Sequence, residues 1–475
     1  MDNAVIEYLA AAHGIKAPGG FYDRIALWDA WRRGFYKPFH TFLEGRAGGL
    51  PISRELYRLN MAQKICEDWA SVLLGEKTYI HSSDEAASSW LSGKDGEHGF
   101  IGESALIRRC CSLVEKAFAL GTGAAILRLD GVTCDGGRLV RSPGARLRVD
   151  FVDAFHIVPI SVGTDGITEA AFVSEVNERG RELVYIELHR LEHDGYVITN
   201  EWLERRSGEL VPTERVGNIP PEIRTGSRVP LFSVFCPAVT NYIDDKCGLG
   251  VSVYAQAIDC LKGVDLAFNN FCRDLKLGGK KVFINRSLVV RDEAGNVFTP
   301  DDVAQQLFVT VGDSDLAEDT MITEHNPSLR TEENSDAVQH QLDYLSFRCG
   351  LGTRHYLFSG VQGKAQLTAT QYTGERQDLI QNTQRHRQAL RRFLLGISRA
   401  ALWAAAEILG VRLDASAQLS VSFDDSYFID SESERERDRA EVAAGLMLPY
   451  EYRMKWRGES EAVAKAKLGL SEALS

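Results

Sequence analysis

The chain has 475 residues, 44% hydrophobic and 25% charged, a composition typical of a globular protein with room for two to four domains. Its 54 basic and 66 acidic residues give a net charge of −12. This charge excludes a protein that holds nucleic acid over its whole surface, but not one past which nucleic acid slides. Nine cysteines without a C-x-x-C pair, no secretory signal and no apolar stretch of membrane-spanning length predict a protein folded in a cytoplasm with reduced thiols.

The first half of the chain predicts helices followed by an extended β region. Apolar residues at helical spacing predict a helix over 52–74 and another over about 103–120, which ends at Gly121. A strand is expected over 124–129. Alternating apolar and polar runs follow, and Asp194-Gly195 within them is a hairpin signal.

The second half of the chain predicts two long helices with a small lobe between them. The first helix covers 254–275 and stops at Gly278-Gly279, and the returning helix covers 333–349. Four glycines make 350–363 a loop. The elements expected in the lobe are strands over 282–284 and 288–290 and a short helix opening at Thr299. The elements expected after the loop are the longest helix, a strand and two more helices, over 367–409, 419–423, 433–444 and 459–470.

One pattern resembles a catalytic motif, because His189-Arg-Leu-Glu-His193 matches the H-x-x-E-H pattern of inverted zinc peptidases. That chemistry needs both histidines one turn apart on a helix. Here the alternation places His189 and His193 on one face of a strand and Glu192 on the other, so solvent-facing strand histidines are the favoured interpretation. Gly363-Lys364 lacks the earlier glycine and the following Ser or Thr of a phosphate loop. We therefore expect no catalytic group, no metal site and no cofactor.

Four stretches carry a resemblance to a known family: RLNMAQKICEDWASVLLGE (58–76), GLGVSVYAQAID (248–259), the segment 360–386, and FDDS (423–426) with AGLMLPYEY (444–452). In this order, around two long helices with a lobe between them, they resemble the portal proteins of long-tailed, siphophage-type bacteriophages. The third stretch contains Leu367-Thr-Ala-Thr-Gln371 where the family commonly has Lys-Thr-Ala-Thr-Glu. The departures at Leu367 and Gln371 remove the Lys–Glu charge pair that the family commonly has there, but they do not affect the expected fold.

The resemblance implies an α+β fold with a portal-type architecture. Two long stem helices would bracket a small α/β clip, next to an α/β wing, a long kinked helix and a C-terminal helical crown. The implied divisions are the wing (1–247), stem helix one (248–279), the clip (280–332), stem helix two (333–349), the tunnel loop (350–366), the long wing and crown helix (367–409), and the returning strand with the crown (410–475). The strand near 419–423 is expected to return to the wing.

The same resemblance implies a structural function without catalysis. The chain would form a ring of about twelve copies at one capsid vertex, a head–tail connector through which double-stranded DNA passes during packaging and ejection. Its implied partners are the terminase large subunit, then a neck adaptor protein, and the major capsid and scaffolding proteins, with no membrane. It would reside in the virion, and in the host cytoplasm before assembly. The alternatives are another structural capsid or neck protein, or a metallo-hydrolase that uses His189, Glu192 and His193.

The charges suggest where DNA and protein partners would touch this chain. Residues 280–330 carry five basic and nine acidic side chains, a difference of −4 that would repel DNA and suit a basic partner, or simply belong to a solvated lobe. The acidic surface is assigned to Asp313, Asp315, Glu318 and Asp319. Residues 350–366 instead contain Arg354 and Lys364 and no carboxylate. We assign Arg354, Gln362 and Lys364 to the DNA channel, and we expect Lys364→Ala to alter DNA packaging or retention while ring assembly stays intact.

Overall fold

The computed structural model describes residues 1–475 except 47–48, 76–77, 94–98, 179, 215–218, 280, 285–306, 310–321, 359–376, 424–430, 458–463, 466 and 469–475. Helices and strands are both abundant, which confirms the α+β class. Within the described part of the chain, no helix is long and apolar enough to cross a membrane.

The helices are α1 (Asn3–His13), α2 (Gly19–Arg32), α3 (Lys37–His40), α4 (Met61–Leu73), α5 (Glu85–Ser92), α6 (Phe100–Glu103), α7 (Leu106–Leu120), α8 (Ile258–Leu277), α9 (Thr331–Arg348), α10 (Gln377–Ala404), α11 (Ser431–Ala443) and α12 (Pro449–Arg457). A π-helical turn, Ala405–Leu409, continues α10.

The strands are β1 (Thr41–Arg46), β2 (Gly49–Glu55), β3 (Tyr79–Ser82), β4 (Gly123–Asp130), β5 (Cys134–Asp135), β6 (Arg138–Leu139), β7 (Arg146–Asp153), β8 (Ile157–Gly163), β9 (Gly166–Glu178), β10 (Arg181–Glu192), β11 (Gly195–Arg206), β12 (Glu209–Pro212), β13 (Glu222–Arg224), β14 (Phe232–Phe235), β15 (Lys281–Ile284), β16 (Leu307–Val309), β17 (Ile322–His325) and β18 (Leu419–Ser422).

The helix predicted over 52–74 is wrong in its first part, which is a strand. β2 pairs antiparallel with β1, with Thr41 opposite Glu55, and α4 begins only at Met61. Asn60 has a φ of 55°, a left-handed conformation that no regular α-helix contains. The spacing of apolar residues over 52–74 could not reveal this start, because it depends on pairing with β1, which lies earlier in the chain.

The helix predicted over 103–120 is confirmed from Leu106 onward. Ala105 has a φ of 48° and separates α6 from α7. At the other end Gly121 has a φ of 89°, and a Cβ atom there would lie 2.2 Å from the carbonyl oxygen of Gly250. Only glycine fits this close approach, so the predicted stop at Gly121 is a steric requirement.

Two sheets occupy the middle of the chain, as the alternating pattern predicts. One has eight strands in the order β5-β6-β13-β11-β10-β9-β8, with β12 also paired to β11. The other has the order β14-β4-β7. Buried Ile126 of β4 and Phe232 of β14 pack with Phe172 of β9 and Tyr196 of β11 between the sheets. The predicted hairpin is confirmed, with Glu192 opposite Gly195.

Two long helices are connected through a small sheet, as the second half of the sequence predicts. α8 leads into β15, the central strand of a sheet with the order β16-β15-β17, and α9 then packs along α8. A Cβ atom on Gly263 of α8 would lie 2.3 Å from Gln341 Oε1 of α9, so glycine lets the two helices approach. α8 begins later than predicted, at Ile258, and the expected elements at 288–290 and Thr299 lie outside the described residues.

The C-terminal part returns to the beginning of the chain. α10 and its π-helical turn end at Gly410, which has a φ of 76°, and 367–376 lie outside the described residues. β18 pairs antiparallel with β3, with Leu419 opposite Ser82, so this strand returns to the first 247 residues of the chain. α11 agrees with the prediction, whereas α12 was missed although Pro449 is a recognised first residue of a helix. Most of the predicted helix over 459–470 lies outside the described residues.

Candidate functional site

The segment 350–358, the first part of the predicted loop, begins with a tight helix termination. Leu351 N–H donates to the carbonyl of Ser346 (2.9 Å), and Gly350 N–H donates to that of Phe347 (3.1 Å). Gly350 has a φ of 79°, so these two bonds form the Schellman motif that ends many helices. Leu351 is buried, and the chain therefore leaves α9 in one defined direction.

α4 and α10 fix the first residues of this segment. Trp69 of α4 is fully buried, and its Nε1–H donates to the carbonyl oxygen of Cys349 (3.1 Å). Asn382 of α10 donates from Nδ2 to the carbonyl oxygen of Gly350 (3.0 Å). The indole of Trp69 also stacks on Phe118, at 5.5 Å between ring centroids. The end of α9 is therefore tied to the main core by two side chains from distant parts of the sequence.

Asp68, one residue before this tryptophan, holds the middle of the segment. Tyr356 O–H donates to Asp68 Oδ2 (2.9 Å), and His355 Nε2 lies 3.7 Å from the same oxygen. Lys64, one turn earlier on α4, forms an ion pair with Asp68 Oδ1. Burial would raise the pKa of the Asp68 carboxyl, but the nearby His355 imidazole and the hydrogen bonds from Lys64 and Tyr356 outweigh it and lower that pKa. Burial, together with Asp68, raises the pKa of Tyr356, so this hydrogen bond joins a neutral phenol to a carboxylate.

Gln339 of α9 clamps the last residues of the segment with both ends of its amide. Its Nε2 donates to the carbonyl oxygen of Tyr356 (2.7 Å), and its Oε1 accepts from Phe358 N–H (2.8 Å). The ring of Phe358 packs edge-on against Phe271 of α8, at 5.8 Å between centroids. The segment is thus fixed to α4, α8, α9 and α10 before the chain passes into 359–376, which lie outside the described residues.

Arg354 is the exposed cation that this framework presents. It has a φ of 58°, a left-handed conformation that costs an L-residue roughly 1–2 kcal/mol, and its side chain is exposed. Leu357 nearby is 73% exposed. A residue held in an unfavourable conformation by a surrounding network is a feature of functional positions. The guanidinium can donate paired hydrogen bonds to phosphate, which makes this a candidate nucleic-acid contact.

One of the predicted site residues lies within the described part of the chain. Arg354 lies on the anchored segment, whereas Gln362, Lys364, Asp313, Asp315, Glu318 and Asp319 all lie outside the described residues. The anchoring residues Asp68, Gln339 and Tyr356 were not predicted. No local pattern could have indicated them, because Asp68 and Tyr356 are 288 residues apart in sequence.

The side chains of the H-x-x-E-H motif do not lie together around one site. The interpretation of His189 as solvent-facing is wrong. His189 is fully buried between the two sheets, next to Phe172 and Phe232. His193 has a side chain that is 99% exposed, in the turn after β10, and Glu192 is also exposed. Across the described residues, no group of three His, Cys, Asp or Glu side chains is placed to hold a metal ion.

His189 belongs instead to a buried polar network around Glu187. The Glu187 carboxylate forms an ion pair with Arg128 of β4 and lies 2.6 Å from His189 Nε2. Tyr185 O–H contacts Glu187 (3.3 Å) and donates to Asn200 Oδ1 (2.6 Å). Burial and the charge of Arg128 lower the pKa of His189 to about 3, so the imidazole is neutral near pH 7. Every charged member of this network faces another member, which is the arrangement expected of a structural network.

No protein-family model matches the chain, and no curated protein matches it at a significant level of similarity.

Proposed function

We propose that this chain is a portal-type subunit, one of about twelve in a ring through which double-stranded DNA passes during packaging and ejection. The observation that carries the proposal is the 350–358 segment. It emerges at the end of the second of two long paired helices, is fixed to four helices, and presents the exposed Arg354. The stem, clip, wing and crown divisions are part of the same proposal, as are docking of the terminase large subunit and then the neck adaptor on 280–332 and a place at the portal vertex of the virion.

The charges next to the segment favour a conduit for DNA rather than a tight DNA-binding site. α9 exposes Glu332, Glu333 and Asp336 in its first turns, and carboxylates along a channel wall repel phosphate. The cations at the other end are Arg348, the last residue of α9, and Arg354, both exposed. Each neutralised phosphate strengthens binding and slows sliding. Fewer cations than carboxylates along α9 therefore suit a wall along which DNA moves.

The exposed apolar side chains of the helix pair support self-association. Tyr344 and Phe347 of α9 are 61% and 56% exposed, and Leu266 of α8 is 44% exposed. Aromatic side chains in such numbers on one helix pair are typical of surfaces that bury against another protein. In the proposed ring they pack against the helix pair of the neighbouring copy.

Mass photometry of the purified chain tests this proposal. We expect particles of about twelve subunits, and we expect Tyr344→Asp combined with Phe347→Asp to yield monomers because a carboxylate cannot be buried there unpaired. Tyr242→Asp is the matched control, since Tyr242 is similarly exposed (51%) but lies outside the helix pair; it should leave the rings intact. A wild-type chain that stays monomeric over the accessible concentration range would contradict the proposal.

A further inference from the structure

Strand β7 has a free edge that borders a groove. β7 is the terminal strand of the sheet β14-β4-β7, and no other described strand pairs with it. The groove has a volume of about 600 Å³ and runs along residues 145–149. Its opposite wall contains Trp90 of α5 and Phe100 of α6, whose rings stack with centroids 5.2 Å apart. An exposed strand edge beside apolar walls is a template for a further strand.

The pairing register shows which backbone groups of β7 face this groove. Leu127 of β4 donates from its N–H to Leu231, on the β14 side, so the even-numbered residues of β4 bond to β7. Their partners in β7 are the even-numbered residues, including Arg148 opposite Arg128. Because backbone groups alternate in an antiparallel strand, the N–H and C=O groups of Leu147 and Val149 point away from β4. Val149 is fully buried, whereas Leu147 is half-buried, so Leu147 carries the accessible edge groups.

A side chain confirms this orientation independently. Arg109 of α7 donates from Nη1 to the carbonyl oxygen of Val149 (2.7 Å), which is possible only if that carbonyl points away from β4. The guanidinium of Arg109 also lies over the ring of Phe151, 4.6 Å from its centroid. Arg109 therefore stands at one end of the groove with its charge toward the edge of the strand.

The charge of the groove is basic. Arg109, Arg146 and Arg148 line it against Glu103 as the one acidic lining residue. Arg148 pairs with Asp130 (3.2 Å) and Asp150 (2.8 Å). Neither Arg109 nor Arg146 forms an ion pair with any residue that the structure describes. Two uncompensated guanidinium groups beside a free strand edge favour an occupant with carboxylates at alternating positions.

We propose that this groove binds an extended acidic segment of a partner protein, which pairs with β7 as a fourth strand. Its backbone bonds to the edge N–H and C=O groups of Leu147, its acidic side chains meet Arg109 and Arg146, and its apolar side chains pack on Trp90 and Phe100. This site is separate from the proposed DNA contact at Arg354 and does not depend on it. A nucleic-acid backbone would satisfy the arginines but not the edge N–H and C=O groups of Leu147 or the apolar wall.

The test is fluorescence anisotropy of the full chain with a labelled octapeptide of alternating valine and glutamate. We expect saturable binding, and at least tenfold weaker binding of the matched valine–lysine octapeptide. Leu147→Pro should weaken binding tenfold or more, because it removes an edge N–H that β4 does not use, whereas Leu147→Ala should change it little. Arg146→Glu should abolish the preference for glutamate and provides a second variant should the proline prevent folding.

Hydrogen exchange of the complex gives an independent readout. Peptide binding should slow exchange of the Leu147 amide, which a purely electrostatic surface contact would leave unchanged. Equal binding of the two peptides, or no binding of either, would overturn the proposal. So would binding of a short DNA duplex in place of the valine–glutamate peptide with no sensitivity to Leu147→Pro.

Discussion

The network around Asp68 and the network around Glu187 are built from the same kinds of side chain but hold different parts of the chain. Each joins a carboxylate to a basic group, a histidine and a tyrosine. Glu187 is 3% exposed and its contacts join strands that already pack together. Asp68 is more exposed, at 18% of its side chain, and its contacts reach across 288 residues to a segment that ends in the exposed Arg354.

The difference separates a structural network from one that positions the segment proposed to contact DNA. In the Glu187 network, Tyr185, His189 and Asn200 are buried and Arg128 is half-buried, so the network fixes the packing of the two sheets. In the Asp68 network, the partners include Tyr356 and His355, two and one residues after Arg354. Substitutions in the Glu187 network should therefore mainly lower the stability of the fold. Substitutions in the Asp68 network should mainly loosen the 350–358 segment.

The largest expected effect on stability is that of Glu187→Ala. It leaves Arg128 with one carboxylate fewer and the buried His189 without its partner, so we expect the free energy of unfolding to fall by about 3–5 kcal/mol. Urea denaturation, followed by circular dichroism, measures this change. Glu182→Ala on the same strand is the matched control, because its side chain is 66% exposed; it should change stability by no more than ~0.5 kcal/mol. Equal effects of the two substitutions would contradict a structural role for the Glu187 network.

Asp68→Asn should have an intermediate effect on stability and a local effect on the segment. Removing the charge of the acceptor that Lys64 and Tyr356 share should cost about 1–3 kcal/mol near pH 7, and amide exchange of residues 354–358 should become faster. Asp259→Asn on α8, where the side chain is 93% exposed, should leave that exchange unchanged. Unaltered exchange in Asp68→Asn would show that the carboxylate does not hold the segment.

The pH dependence of the Asp68 effect has a defined sign. The pKa of Asp68 is lowered in the folded chain from its ordinary value of 3.8, so its contribution to stability is complete above that value and is lost as the pH falls through the folded pKa. The difference in free energy of unfolding between the wild type and Asp68→Asn should be constant from pH 7 to about pH 5 and should shrink below ~3.8. A difference that instead grows on acidification would contradict the lowered pKa.

The smallest expected effect on stability is that of Arg354→Gly. Glycine relieves the left-handed strain at φ 58° but makes the unfolded chain more flexible, so the two effects nearly cancel and stability should change by less than about 1 kcal/mol. DNA packaging or retention by the variant rings should nevertheless change, while Arg354→Lys and the distant exposed variant Arg138→Ala should behave like the wild type. Normal packaging and retention by Arg354→Gly would remove Arg354 from the DNA contact.

The sequence predicts those parts of the fold that depend on local patterns. The stop at Gly121, the Asp194-Gly195 hairpin and the long helices α9 and α10 all follow from spacing and from glycine chemistry. The start of α4 was missed because its boundary depends on the pairing of β2 with β1. His189 was misplaced on the surface, although Glu187 and His189 lie on one face of β10 directly after the apolar run 183–186, and this pattern could have indicated a buried carboxylate with a polar partner.

The candidate site was predictable only in part, because it joins distant segments. The lack of carboxylates in 350–366 indicated Arg354 directly from the sequence. Its anchors could not be read in the same way, since Asp68, Gln339 and Asn382 act through contacts that form only in the folded chain. The resemblance placed a loop after the second long helix but gave no information about how that loop is held.

A reconstruction of the purified assembly by electron cryomicroscopy tests the proposed function most directly. We predict a closed ring of about twelve copies with α8 and α9 around a central channel, and with Arg354 of each copy directed into that channel. A stable monomer, or a ring in which Arg354 lies on the outer circumference, would contradict the proposal that this segment meets DNA.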